Sequence, residues 1–160
     1  MNTIKKAYEY LNRLTPLKID CGKFCNAACC KGDENTGMIL LPNEEFICDF
    51  GNIKSDTDRN KIIICNGECD REKRPYSCRI FPLFPYTTQT KNGVKIEIKI
   101  DPRAANVCPL NDIKMMDKNF IRAVRRSAKI LATDKEYLRF LTETTSLLKE
   151  IEQLKSLLNL

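Results

Sequence analysis

The sequence predicts an α+β protein: a small metal-stapled region, irregular apart from a β-hairpin, packed with N- and C-terminal helices. Three observations lead there. Nine cysteines all lie before residue 110. A strictly alternating stretch, Val94 to Ile100, follows an Asn92-Gly93 turn signal. The remainder, rich in Leu, Lys and Glu, carries apolar residues at helical spacing. With 160 residues and 42% apolar content the chain suits one domain, residues 1–160. Within it, 21–110 reads as the cysteine-bearing region and 111–160 as the C-terminal helices.

From Thr3 to Leu14, Ile4, Ala7, Tyr8 and Leu11 recur at helical spacing, and Pro16 closes the run. Gly37 to Leu41 reads as a short strand, and Pro42-Asn-Glu-Glu45 as the opening of a short helix carrying Phe46 and Ile47. Lys61 to Cys65 is a β-branched run with strand character. Val94, Ile96, Ile98 and Ile100 alternate with Lys95, Glu97 and Lys99, and Tyr86 to Gln89 is the expected antiparallel partner. Pro82 and Pro85 predict an irregular start or an edge position for that partner.

Asp112 is the expected cap of a helix with Ile113, Met116, Phe120, Val124 and Leu131 on one face. Thr133-Asp-Lys-Glu136 reads as a capping box for a second helix, with Tyr137, Leu141, Leu148, Ile151 and Leu158 on its stripe. Thr144, Thr145 and Ser146 are weaker helix formers and predict a break near 142–146. The leucine stripe from Leu138 to Leu158 points to a protein partner, or a second copy, on the C-terminal helices.

Lys5, Lys6, Glu9 and Arg13 interrupt the N-terminal apolar residues, so a secretory signal is not expected. Nothing approaches the run of roughly 20 apolar residues that crosses a bilayer. A reducing cytoplasmic setting is therefore expected, where clustered cysteines serve as metal ligands or redox centres rather than disulfides. The odd number of cysteines agrees. The Lys-, Ile- and Asn-rich composition hints at an AT-rich bacterial genome.

With no histidine in the chain, a transition-metal site must be built mainly from thiolates, which points to zinc, iron–sulfur or Cu(I). The formal net charge is +6 with neutral thiols. Eight thiolates on two Zn²⁺ would bring it to roughly +2. The basic balance is therefore not read as a nucleic-acid signal.

Cys21, Cys25, Cys29 and Cys30 form C-x3-C-x3-C-C around Gly22, Asn26, Ala27 and Ala28, residues that let a backbone bend tightly. Thiolates on one zinc sit roughly 4 Å apart, whereas residues eight apart on a continuous helix are about 12 Å apart. Cys21 and Cys29 can share a metal only where the segment bends. Adjacent Cys29 and Cys30 would point to different sides, which leaves open two neighbouring sites or one larger cluster. Further thiols stand at Cys48, Cys65, Cys69, Cys78 and Cys108, so a metal would staple distant stretches, and its removal would unfold that part of the chain. The Cys65–Cys69 spacing suits structural zinc, and Cys108-Pro109 resembles the ending of some iron–sulfur runs.

These residues resemble the YkgJ-type cysteine-cluster proteins, a zinc- or iron-chelating family with a C-x2-C-x2-C-C signature. Cys48 within Phe-Ile-Cys-Asp-Phe agrees, as does Arg74-Pro-Tyr-Ser-Cys78-Arg-Ile-Phe-Pro82 with a cysteine upstream, and so does the late Cys108. The likeness covers about residues 21–110 and departs from the pattern in having three residues between successive cluster cysteines. It implies Cys21, Cys25, Cys29, Cys30, Cys48, Cys69, Cys78 and Cys108 as ligands of zinc or of an iron–sulfur cluster, with Cys65 as an additional candidate. Arg74 and Arg79 are either donors to thiolate sulfur or surface partners of Glu68, Asp70 or Glu72.

The leading expectation is a binding protein whose metal is mainly structural and which is not itself an enzyme. The resemblance extends to the cysteine domain of flagellin lysine methylases, which makes a redox or methyltransferase-type subunit the alternative. No Gly-rich nucleotide loop is present, no histidine can serve as a general base, and no catalytic residue stands out. For dithiol chemistry, Cys65 with one cluster cysteine is the visible pair. A metal carrier or store is the third reading.

Overall fold

The computed structural model describes residues 2–31, 36–48, 50–55, 60–65, 67 and 69–158. Asp49 of the Phe-Ile-Cys-Asp-Phe stretch and Glu68 lie outside them. The architecture is α+β: two small antiparallel sheets with flanking helices.

Helix α1 (Asn2–Glu9) continues as turns to Arg13, and Ile4, Ala7 and Leu11 of its apolar stripe are buried. It packs against α4 (Lys118–Leu131), whose Phe120, Val124, Ala128 and Leu131 are also buried. The cap of α4 is Asp117, which accepts the Asn119 amide at 2.6 Å. Asp112 instead caps a 3-10 turn, Ile113–Met115. The helical spacing downstream was legible, but two aspartates compete, and the extended backbone at Met116 lets the second one start the helix.

Helix α5 (Lys135–Leu157) is capped by Asp134 and runs without the expected break. The hydroxyls of Thr142, Thr145 and Ser146 bond back to the carbonyls of Leu138, Leu141 and Thr142, so the polar side chains satisfy themselves within the helix. Tertiary contact also holds the segment, because Thr145 Oγ1 accepts the amide of Thr87 at 3.0 Å. Tyr137, Leu141 and Leu148 of its stripe are buried, and Leu158 is exposed.

The hairpin is β4 (Leu83–Thr90) with β5 (Gly93–Ile100), in register Thr90↔Gly93 through Leu83↔Ile100. Gly93 has φ +112°, the conformation that makes glycine the natural residue for this turn. Pro85 sits inside β4, which is tolerated because the sheet has two strands and each is an edge. Leu83, Phe84, Tyr86 and Ile98 are buried. Helix α5 lies along β4, held by Tyr86 Oη donating to Glu152 at 2.8 Å and by Lys155 Nζ donating to the Pro102 carbonyl at 2.7 Å.

The second sheet has strand order β1-β3-β2, from Met38–Ile39, Lys61–Ile64 and Asn52–Ser55, all antiparallel. β2 was not evident in the sequence, since Asn52-Ile-Lys-Ser55 offers one apolar residue. Two glycines let chains pass close to β3. A Cβ on Gly37 would lie 2.6 Å from the Ile63 carbonyl oxygen, and one on Gly51 would lie 2.7 Å from that of Ile64.

Short helices α2 (Cys21–Phe24) and α3 (Tyr76–Ile80) complete the fold. The expected helix after Pro42 is a 3-10 turn, Glu44–Phe46, with Phe46 exposed. Its Glu44 is fully buried and accepts hydrogen bonds from Tyr8 Oη, the Leu41 amide (2.7 Å) and the Tyr76 amide. One carboxylate thus joins α1, the 3-10 turn and the start of α3. Ser77 donates to the Ile39 carbonyl at 2.6 Å, and the Tyr76 and Ser127 hydroxyls lie 3.1 Å apart, so α3 is also fastened to β1 and α4. Ile4, Tyr76, Ile80, Leu83, Phe120 and Leu141 belong to one apolar cluster, shared by terminal helices and cysteine-bearing region. Among the described residues no helix is long and apolar enough to cross a membrane.

Candidate metal centre

The C-x3-C-x3-C-C segment bends as the spacing required. Asp20 caps α2 by accepting the Gly22 amide at 3.0 Å, and the helix ends at Phe24. Asn26 and Ala27 follow with φ of +52° and +51°, an arrangement that turns the chain back on itself. A 3-10 turn, Ala28–Cys30, then presents the two adjacent cysteines. Cys25 Sγ lies 3.4 Å from the Cys21 carbonyl, and Cys29 feels the charges of both Cys21 and Cys25.

The other cysteines approach from three directions. Cys65 follows β3, Cys69 precedes the 3-10 turn Arg71–Lys73, Cys78 lies in α3, and Cys108 follows the 3-10 turn Pro102–Ala104 that extends β5. Cys30 shares side-chain hydrogen bonds with Cys29 and with Cys65, and Cys65 shares one with Cys69. Arg74 Nε donates to Cys69 Sγ at 3.1 Å. Sulfurs 29, 30, 65 and 69 thus form a chain ending on a guanidinium. Cys78 feels Cys30 and Cys69, and Cys108 feels Cys25.

Two cavities flank this chain. The larger, about 450 Å³, is lined by Cys21, Cys25, Cys29, Cys78 and Cys108, with Arg74, Arg79 and apolar walls that include Leu11, Phe24 and Leu110. The smaller, about 220 Å³, is lined by Cys29, Cys30 and Cys65 together with Ile63, Leu83 and Phe84.

Cys48 is placed differently. It is buried in a small cluster with Leu40 and Ile63, and the charges it acts on are those of Tyr8 and Arg79. It lines neither cavity. Cys65, an additional candidate on the sequence, stands among the other thiols.

The electrostatics follow from these contacts. Cys30 is lowered to about 6, first by the hydrogen bond from Cys29, then by Arg74 and the hydrogen bond from Cys65, against the cost of burial. Cys29 rises, because the same hydrogen bond holds its proton and because burial and its thiol neighbours oppose a charge. Burial pushes Cys65, Cys78 and Cys108 upward, with neighbouring thiolates adding to the effect. A thiophilic cation would relieve this crowding, since ligated thiols are deprotonated outright.

Arg74 resolves as a donor to sulfur. Arg79 does not touch sulfur in this way: its Nε donates to the Arg74 carbonyl at 2.6 Å, Nη1 to Asn12 at 3.1 Å and Nη2 to the Glu72 carbonyl, and its guanidinium lies 4.1 Å from the centre of the Tyr8 ring. It therefore fixes the loop that carries Arg74, which the sequence did not reveal.

None of the nine cysteines is in a disulfide. Among the described residues, no three His, Cys, Asp or Glu side chains stand in a ready-made metal-binding arrangement. As thiols, the donors gathered here are of the class that suits a soft cation. Comparison with family models, curated proteins and solved structures finds no match to this chain, so a functional reading rests on the thiols themselves.

Proposed function

We propose that this chain is a metal-binding protein whose thiolates hold zinc or an iron–sulfur cluster, with the metal mainly structural, and that it belongs with the YkgJ-type cysteine-cluster proteins. The observation that carries the reading is the convergence of cysteines from separate stretches, 21–30, 65–69, 78 and 108, around one chain of sulfur hydrogen bonds. Thiolates set beside one another repel unless a cation shares their charge. Arg74 adds the donor that characteristically orients a thiolate ligand. The reading includes a reducing, cytoplasmic compartment, where such thiols persist. It also includes a protein partner at the end of α5, where Leu147, Leu154, Leu157 and Leu158 are exposed.

Protein purified without oxygen is expected to carry metal in near-integral amount per chain. Colourless protein with zinc supports the zinc form, and brown protein with iron and sulfide the cluster form. Protein that is metal-free, refuses Zn²⁺ and folds fully overturns the reading.

A second reading draws on one contact. Cys30, the thiol lowered to about 6, is hydrogen-bonded to Cys65, which is the pairing that dithiol redox chemistry uses. Reversible formation of a Cys30–Cys65 disulfide in metal-free protein, followed by mass spectrometry, is its test.

A further inference from the structure

We infer, resting on the reading that a protein partner meets the end of α5, that this partner is a second copy of the chain. The two copies join through a parallel two-helix seam made by Leu147, Ile151, Leu154 and Leu158.

This face of α5 is met by the chain at one end and open at the other. Near the start of the helix, Asn43 donates to Glu136 at 3.4 Å, and Phe140 and Glu143 share a cavity with Leu40, Leu41 and Pro42. Further along, Leu147, Leu154, Leu157 and Leu158 are 45%, 57%, 79% and 65% exposed. Ile151 is half-buried and packs against the main core, which sets it at the border of the open face. Leu158 caps the helix with helical backbone, so the face continues to it. The stretch from Leu147 to Leu158 covers about 16 Å of helix.

The spacing and the charges point to a second copy. Steps of four, three and four residues place Leu147, Ile151, Leu154 and Leu158 at successive d and a positions of a heptad, the narrow seam of a two-stranded coiled coil. Glu150 and Lys155 then flank the seam on opposite sides, five residues apart. In a parallel pair each Glu150 faces Lys155 of the second copy, and the contact occurs twice. An antiparallel pair would bring Glu150 towards Glu150 and Lys155 towards Lys155, like charge on like. The Pro102 carbonyl takes one N–H of the Lys155 ammonium, which leaves two more for a carboxylate. That contact and the bond from Tyr86 to Glu152 hold the helix in place before association. A seam this short is too weak for free peptides, but here no ordering cost opposes it.

Sedimentation of the protein as isolated, under reducing conditions and across a concentration series, tests the assignment. A monomer–dimer equilibrium is expected. Leu154→Glu should raise the dissociation constant about tenfold or more by setting charge inside the seam. Phe46→Glu, at an exposed aromatic outside it, should change nothing. Glu150→Lys should weaken the dimer, and adding Lys155→Glu should recover it. Monomer at every concentration overturns the second copy and leaves a different protein as the partner. A dimer that Leu154→Glu does not weaken overturns the seam, and failure of the double exchange to recover the dimer overturns the parallel orientation. Should a variant fail to fold, methyl spectra of the unsubstituted protein decide: concentration-dependent shifts should centre on Leu147, Ile151, Leu154 and Leu158, and shifts confined elsewhere overturn the seam. In dilute protein a soluble nitroxide should broaden the Leu154 and Leu158 methyls. Methyls shielded from it would show the face closed by the chain itself, which overturns the partner reading as well.

Discussion

Arg74 Nε lies 3.1 Å from Cys69 Sγ, so a cation is delivered to sulfur by a side chain whose own loop is pinned by Arg79 through the Arg74 carbonyl. A donor of this kind disperses charge on a thiolate ligand and orients it, the role Arg74 would take were Cys69 to ligate a metal. Arg74→Gln is expected to weaken metal binding by roughly 10- to 100-fold, read by competition with a chelator. An unchanged affinity would show that the contact is incidental.

Cys30 is the thiol most ready to react in the metal-free protein. Lowered to about 6 by Cys29, Arg74 and Cys65, it is about nine-tenths thiolate at pH 7, where an ordinary thiol is only a few per cent ionised. Alkylation by iodoacetamide, followed site by site by mass spectrometry, should label Cys30 first, with half-maximal rate near pH 6. Metal loading should abolish the preference.

Glu44 brings a pH dependence. Burial raises its carboxyl pKa, against the three hydrogen bonds and the Arg79 charge that lower it. The folded state therefore holds the proton to higher pH than the unfolded state, whose carboxyl titrates near pH 4.3. By linkage, Glu44's contribution to stability is complete below that value and declines as pH rises towards the folded one. Glu44→Gln should flatten this decline in urea unfolding measured across pH. Glu44→Ala should cost about 2 kcal/mol or more, because the buried Tyr76 and Leu41 amides lose their acceptor.

Metal removal should act locally. The backbone hydrogen bonds of residues 22–30 are local, as in Ala27 to Gly22 and Cys30 to Ala27. α3, by contrast, shares the main core through Tyr76 and Ile80. On chelation, amides in 21–31 should exchange with deuterium much faster while those of α4 and β5 stay protected. Equal acceleration throughout would mean that metal holds the entire fold.

Phe120 tests the other support. It is fully buried in α4 at the main core. Phe120→Ala should cost about 3–5 kcal/mol in chemical unfolding. Metal content per folded chain should not change, since the side chain lines neither cysteine cavity.

Much of the fold was legible because its signals are local. Alternation from Val94 to Ile100 with a glycine turn gives a hairpin register without reference to the rest of the chain. The 3.6-residue spacing of Phe120, Val124 and Leu131 gives a buried helix face in the same way. The helix boundaries were less legible, because Asp112 and Asp117 are both competent caps and only the path of the chain chooses between them. The threonines of α5 were misleading as helix breakers because their partners, the i−4 carbonyls and the Thr87 amide, are supplied by the folded state.

The cysteine site divides along the same line. Composition and spacing determined that, without histidine, thiols are the main soft donors and that the 21–30 segment must bend if Cys21 and Cys29 are to serve one ion. Tertiary structure alone decided which distant thiols meet: β3 delivers Cys65 to Cys30, while the turn after Glu44 sends Cys48 into an apolar cluster with Leu40 and Ile63. The physical reason is that spacing constrains thiols a few residues apart, whereas partners thirty or more residues away are set by strand pairing and by core packing, which the local sequence does not encode.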